Sequence, residues 1–240
     1  MSYVDRFIVA IAKLAGSIEA EAKALAADLG NTAYEVKLKL TAGFPTVVLS
    51  TTDGDAATAL AAKLRARGHR ALVVRGSSVI AASAMVRVRQ FELDEDGINT
   101  EVDQLPWSEI SALVRARNRS QHDTTEIVKE KKFDLGRAVA SGGLVMRSTQ
   151  KREVVTHHES SEQVLYMFRA NGETPWILRE QGTHFGGLGT AQQATANLNF
   201  GLACDRFKAR ATSARYDDSL LRRPAINEVD LYAYLISLGA

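Results

Sequence analysis

A chain of 240 residues is long enough for one or two domains with buried cores. Its 30 basic and 28 acidic residues leave a net charge of +2, which excludes a global field that would commit it to nucleic acid. A single cysteine, Cys204, excludes an intrachain disulfide and suits a reducing compartment.

The opening segment, MSYVDRFIVAIAKLAGSIEAEAK, carries an apolar run that Lys13 interrupts and that no basic stretch precedes. It is too short to cross a bilayer, as is the closing EVDLYAYLISLGA. The expectation is a soluble, cytoplasmic chain.

Residues 7–14, FIVAIAKL, read as a buried strand, although a helix also satisfies so short an apolar run. Ser17 then offers an N-cap and Gly30 a stop. Ile18, Ala22, Leu25 and Leu29 recur between them at helical spacing. YEVKLKL, residues 34–40, alternates strictly and predicts a half-buried strand with Val36, Leu38 and Leu40 inward. TAGFP predicts a turn and TVVLST the returning strand. Aspartates in TDGD are placed to cap a helix whose Ala57, Leu60, Ala61 and Leu64 share a face, with Lys63, Arg65 and Arg67 near its C-terminal end. Gly68 ends that helix and HRALVV is a last strand. The predicted order over residues 1–76 is βαββαβ, a ferredoxin-like sandwich. It resembles ACT-type regulatory domains and RNA-recognition domains in order only, and such a fold hosts unrelated functions.

GSSVIAAS reads as a linker. MVRVRQFEL alternates as a strand, DEDG is a hairpin turn, and INTEV continues it. In QLPWSEISALVRARN, Pro106 and Trp107 set a bend before apolar Ile110, Leu113 and Val114. Residues 124–132 and 147–162 read as two exposed strands of a long β-arm. EQVLYMFRA is a core strand, Asn171-Gly172 a hairpin signal, and WILRE the answering strand. Residues 190–211 read as one helix with Leu198, Leu202 and Phe207 apolar. The tail places Ile226, Val229, Tyr232 and Leu235 at near-helical spacing, suited to docking on the body or a partner.

FELDEDGI followed by LPWSEISALV, and later VLYMF, PWILRE and a closing helix, resemble bacterial pleckstrin-homology-like domains. The resemblance runs from Met85 to Ala211 and implies a partly open β-barrel closed by a helix. An insertion at about 118–161 departs from it. The expected fold class is therefore α+β, with a ferredoxin-like domain at 1–76 and a pleckstrin-homology-like domain at 77–240.

The apolar, glycine-bearing FDLGRAVASGGLVM, residues 133–146, sits between polar runs. Gly136 and Gly142 stand six apart, and Gly143-Leu144 follow where a P-loop needs Lys-Ser/Thr, so a phosphate loop is not expected. Its small residues permit close backbone approach, and Phe133, Leu135, Val139, Leu144, Val145 and Met146 form the candidate contact set for self-association or a protein partner. Flanking Lys131, Lys132, Arg137 and Arg147 also suit an anionic membrane surface, though the apolar stretch is too short to anchor firmly without a second signal.

The alternative surface is polyanionic: Arg115, Arg117, Arg119, Lys131 and Lys132 offer charge to a lipid headgroup or nucleic acid, with few aromatics for base stacking. His157 and His158 are neighbours on a predicted strand and point to opposite faces, so they do not share one metal. His122-Asp123 and Cys204-Asp205 lack a nucleophile motif, and Cys204 reads as a small buried apolar residue. No cofactor is expected. The function expected is a non-enzymatic interaction or scaffold module, with polyanion binding as the alternative.

Overall fold

The computed structural model describes residues 6–133, 147–223 and 228–239, with side chains described outside 119–160. The calls on Leu135, Val139, Leu144, Val145, Met146, Gly136, Gly142, Arg137 and Ile226 lie outside the described residues, as do the side chains of Phe133, Arg119, Lys131, Lys132, Arg147, His122, His157 and His158. The described chain is α+β, with three sheets and no closed barrel.

Residues 6–75 form β1 (Phe7–Lys13), α1 (Ile18–Leu29), α2 (Ala33–Thr41), β2 (Thr46–Thr51), α3 (Gly54–Ala66) and β3 (Arg70–Arg75). β1 lies between β2 and β3 and pairs antiparallel with both. Ser17 caps α1 by accepting from Ala20 N, and Gly30 leaves it in the left-handed region at φ 68°. Asp53 caps α3 through two backbone N–H groups.

One element differs from the sequence reading. YEVKLKL is helix α2, not a strand, so the order is βααβαβ and the sheet has three strands. This corrects the ferredoxin-like βαββαβ expectation. Thr32 and Glu35 close a reciprocal capping box, which satisfies the first orphan donors and starts a helix. Helical turn then buries Val36 and Leu40, four apart, and leaves Leu38 55 % exposed. The alternation was coincidental, because a strand would have put all three residues on one face.

The rest of the chain forms β4 (Val86–Val88), β5 (Glu92–Leu93), β6 (Gly97–Asn99), β7 (Gln104–Pro106), β8 (Ile110–Phe133), β9 (Arg147–Arg169), β10 (Trp176–Arg179), α4 (Ala196–Arg210), β11 (Arg215–Asp217) and α5 (Val229–Ser237). β5, β6 and β7 make a small antiparallel sheet. In its turn Asp94 accepts from Asp96 N and Gly97 N. A Cβ at Gly97 would run into the Leu105 backbone carbonyl, so the close approach of β6 and β7 requires glycine. The larger sheet runs β11-β8-β9-β10-β4. Ala170 N donates to Glu109 O while Ser111 Oγ donates to Phe168 O, which sets β8 and β9 antiparallel. The helix expected over 190–211 starts only at Ala196, capped by Thr195. Leu198 is exposed, and the buried face is Phe200, Ala203, Cys204 and Phe207.

Strand alternation gives the large sheet two apolar faces. Val88, Leu113, Leu165, Met167, Trp176 and Leu178 join α4 and the small sheet in one core. Ala112, Val114, Val164, Tyr166, Phe168 and Ile177 face α5 on the other side. The N-terminal sheet β2-β1-β3 is also covered twice. Val9, Ile11, Val48 and Ala71 pack on α1, α2 and α3, whereas Ile8, Ala10 and Val74 meet Leu231 and Leu235 of α5.

Helix α5 is thus shared. Val229, Ala233 and Ile236 serve the large sheet, and Leu231 and Leu235 the N-terminal one. A helix apolar on all sides is stable only when buried all round. Each fully buried Leu or Ile contributes about 1.5–3 kcal/mol.

The chain divides into two compact units, Met1–Asn118 with Glu162–Ala240, and Arg119–Ser161. Among the described residues no helix is long and apolar enough to cross a membrane.

Candidate binding site

Of the basic residues proposed for a polyanion, the two whose side chains are described differ. Arg117 is exposed. Arg115 is half-buried and engaged within the fold: its Nε and Nη2 donate to Gln163 Oε1 at 3.0 and 2.6 Å, and its guanidinium lies 5.5 Å from the centre of the Phe200 ring. It also bonds the Tyr216 hydroxyl. An arginine with these partners holds β8, β9, α4 and β11 together, and offering it to a phosphate would break that arrangement.

Cys204 is fully buried on α4, and burial pushes its thiol up to about 12. The fold therefore gives it the part of a small apolar residue, as the sequence suggested. Trp107 and Trp176 are buried core residues. His184 is exposed in the loop after β10, its backbone N–H donating to Arg89 O. Among the described residues no group of three or more His, Cys, Asp or Glu is placed to hold a metal ion.

Two polar clusters that the sequence did not disclose are built into the body. In the first, Glu21 of α1 is 4 % exposed and receives Arg67 through Nε and Nη2, at 3.0 and 2.7 Å. His69 Nε2 lies 2.7 Å from Glu21 Oε2. Because His69 Nδ1 accepts from Ala15 N at 3.1 Å, the ring proton sits on Nε2 and is donated to Glu21. Arg67 and Lys63 both reach Asp28, whose carboxyl is held below the usual range by the Lys63 hydrogen bond, with Arg67 adding to it. Through these bonds the cluster clamps α1 to the end of α3.

The second cluster centres on Asp230, which accepts from the Tyr166 hydroxyl at 2.7 Å and from Ala82 N at 2.8 Å. Burial, with the Asp230 charge behind it, raises the Tyr166 hydroxyl pKa. It too is structural.

A cavity lies elsewhere in the body. A cavity of about 650 Å³ opens where the turn after β3, the end of β9, the β9–β10 turn and the last turn of α5 converge. Its apolar surface is Ile80, Phe168, Pro175, Tyr234 and Leu238. The Phe168 and Tyr234 rings are 6.4 Å apart and tilted by 49°. Ser77, Ser78, Ser111 and Ser237 supply hydroxyls. Ser111 and Ser237 donate to the carbonyls of Phe168 and Tyr234, but the hydroxyls of Ser77, Ser78 and Tyr234 bond no described protein group.

Arg169 forms the charged wall. It is 12 % exposed at the side chain and pairs with Glu109 at 2.5 Å and with Glu173. Both carboxylates reach solvent, at 37 % and 56 %. Desolvation would lower the Arg169 guanidinium, yet the Glu109 hydrogen bond and the charges of Glu173 and Asp103 raise it instead. The cavity thus sets hydroxyls and an arginine–carboxylate set against an apolar wall. No signal within one stretch of sequence could have found it, because its walls come from positions 77, 111, 169 and 234. No protein-family model, no curated protein and no solved structure matches this chain.

Proposed function

We propose that the chain is a non-catalytic protein–protein interaction or scaffold module that self-associates through residues 119–161. One observation supports this reading above the others. β8 and β9 are hydrogen-bonded neighbours of 24 and 23 residues, and their 119–161 portion is a compact unit of its own. Strands in globular proteins usually run 3–10 residues. A pair this long exceeds what the sheet of the body requires, and long paired strands supply extended edges for other chains. The contact set read from the sequence, Phe133 with Leu135, Val139, Leu144, Val145 and Met146, belongs to this segment.

The same reading takes residues 85–211 as a variant of the pleckstrin-homology-like fold. The seven strands β4 to β10 followed by helix α4 are what supports it.

The test replaces residues 119–161 by a two-residue Asn-Gly turn between Asn118 and Glu162. Multi-angle light scattering on the full chain is expected to give a mass above the 26.1 kDa protomer, and on the shortened chain the protomer mass. A full chain that runs as a monomer, or a deletion that associates as before, refutes the proposal.

A further inference from the structure

We propose that the cavity between the end of β9 and the last turn of α5 is a binding site for a small organic amine, an ammonium group carried on an apolar or aromatic body. The inference is independent of residues 119–161.

Size comes first. About 650 Å³ falls within the range of small-molecule sites, which run from roughly 300 to 1,000 Å³. The surface also divides as such sites do. Ile80, Phe168 and Tyr234 offer an apolar wall to a ligand body, and the hydroxyls of Ser77, Ser78 and Tyr234 have no protein partner to give up.

Charge selects the ligand. Arg169 is the one basic residue lining the cavity among the described residues, and it is already shared by Glu109 and Glu173. Two carboxylates around one guanidinium leave an excess negative charge. An anionic ligand would be repelled by both carboxylates. An ammonium meets the opposite field. Glu173, 56 % exposed and lining the cavity, can turn a carboxylate oxygen to it. Serine hydroxyls accept from its N–H groups. The Tyr234 ring adds a cation–π face. Glu173 stands outside the strands, just after the Asn171-Gly172 turn.

The experiment uses the full chain and three probes of one shape: 2-phenylethylamine, the anion 3-phenylpropionate and neutral 2-phenylethanol. Each is titrated while backbone amide resonances are followed by NMR. The amine is expected to saturate, with shifts gathered at Ser77–Ile80, Phe168–Pro175 and Tyr234–Leu238, and to bind more tightly than the alcohol or the acid. Glu173→Gln, a change in an exposed turn, should weaken amine binding by about tenfold or more, the order of one charged hydrogen bond. Leu198→Ala, on the exposed side of α4, should leave it unchanged. Amine shifts that do not saturate, equal binding of the acid or alcohol, or a Glu173→Gln protein that binds the amine as before would each overturn the proposal.

Discussion

Tyr166 on β9 donates its hydroxyl to Asp230 on α5 at 2.7 Å, across 64 positions of sequence. The other Asp230 oxygen accepts from Ala82 N, in the segment that joins β3 to β4. One carboxylate thus ties the shared helix to the large sheet and to the connection between the two sheets. Tyr166→Phe removes one bond and should cost about 1 kcal/mol. Asp230→Ala leaves a buried hydroxyl and a backbone N–H without partners and should cost about 2–4 kcal/mol. In denaturant melts of the double variant, the Tyr166→Phe cost should nearly vanish. Additive costs would mean the two groups act separately.

Glu21 is the most buried carboxylate of the body, and both its oxygens are in use. Glu21→Ala strands Arg67 and His69 and is expected to lower unfolding free energy by about 3 kcal/mol or more. A loss below about 1 kcal/mol, the scale of a surface pair, would contradict the clamp described above.

Asp28 gives this cluster its acid dependence. Its carboxyl is held below the usual value by Lys63 and then Arg67, so the folded state binds its proton less readily than the unfolded state. The stability it contributes is complete above the unfolded value near 3.9 and is lost as pH falls through the lower folded value. Asp28→Asn should therefore be less stable than the parent at pH 6 and should converge with it as pH drops toward 2.5. Parallel urea midpoints over that range would refute the linkage.

Cys204 gives the opposite pH signature. The folded thiol keeps its proton up to about 12, whereas an unfolded one ionises from about 8.5. The unfolded state then holds fewer protons, so stability falls as pH rises above that point. Ellman's reagent should react slowly with the native chain at pH 8 and at once in denaturant. Cys204→Ala should flatten the loss between pH 8 and 10 relative to the parent. Rapid native labelling would show the thiol to be accessible.

Helix α2 makes a sharper forecast than a strand would. Leu40→Ala should cost about 2–4 kcal/mol because the side chain is fully buried, and Leu38→Ala should stay within about 0.5 kcal/mol. Thr32→Ala, which opens the capping box, should cost about 1 kcal/mol. Equal losses at Leu38 and Leu40 would restore the strand.

Local signals carried far where the physics is local. Ser17, Gly30, Asp53 and Gly68 bound their helices as written, because a cap needs only the donors and acceptors of its own first or last turn. The hairpin at Asn171-Gly172 follows from glycine's access to positive φ, here 74°. Residues 34–40 failed for an instructive reason. Period-two alternation and an i, i+4 pair share Val36 and Leu40, and only Thr32 with Glu35 distinguished them.

The sequence by itself determined the α+β class, the caps of the first and third helices and the apolar nature of the C-terminal helix. Tertiary structure alone decided that this helix lies between two sheets, that Arg115 is held by Gln163 and Phe200, and that Ser77, Arg169 and Tyr234 line one cavity. The physical reason is range. Caps, turns and periodicity are written in neighbouring residues, whereas burial, charge pairing and cavities depend on which distant surfaces meet.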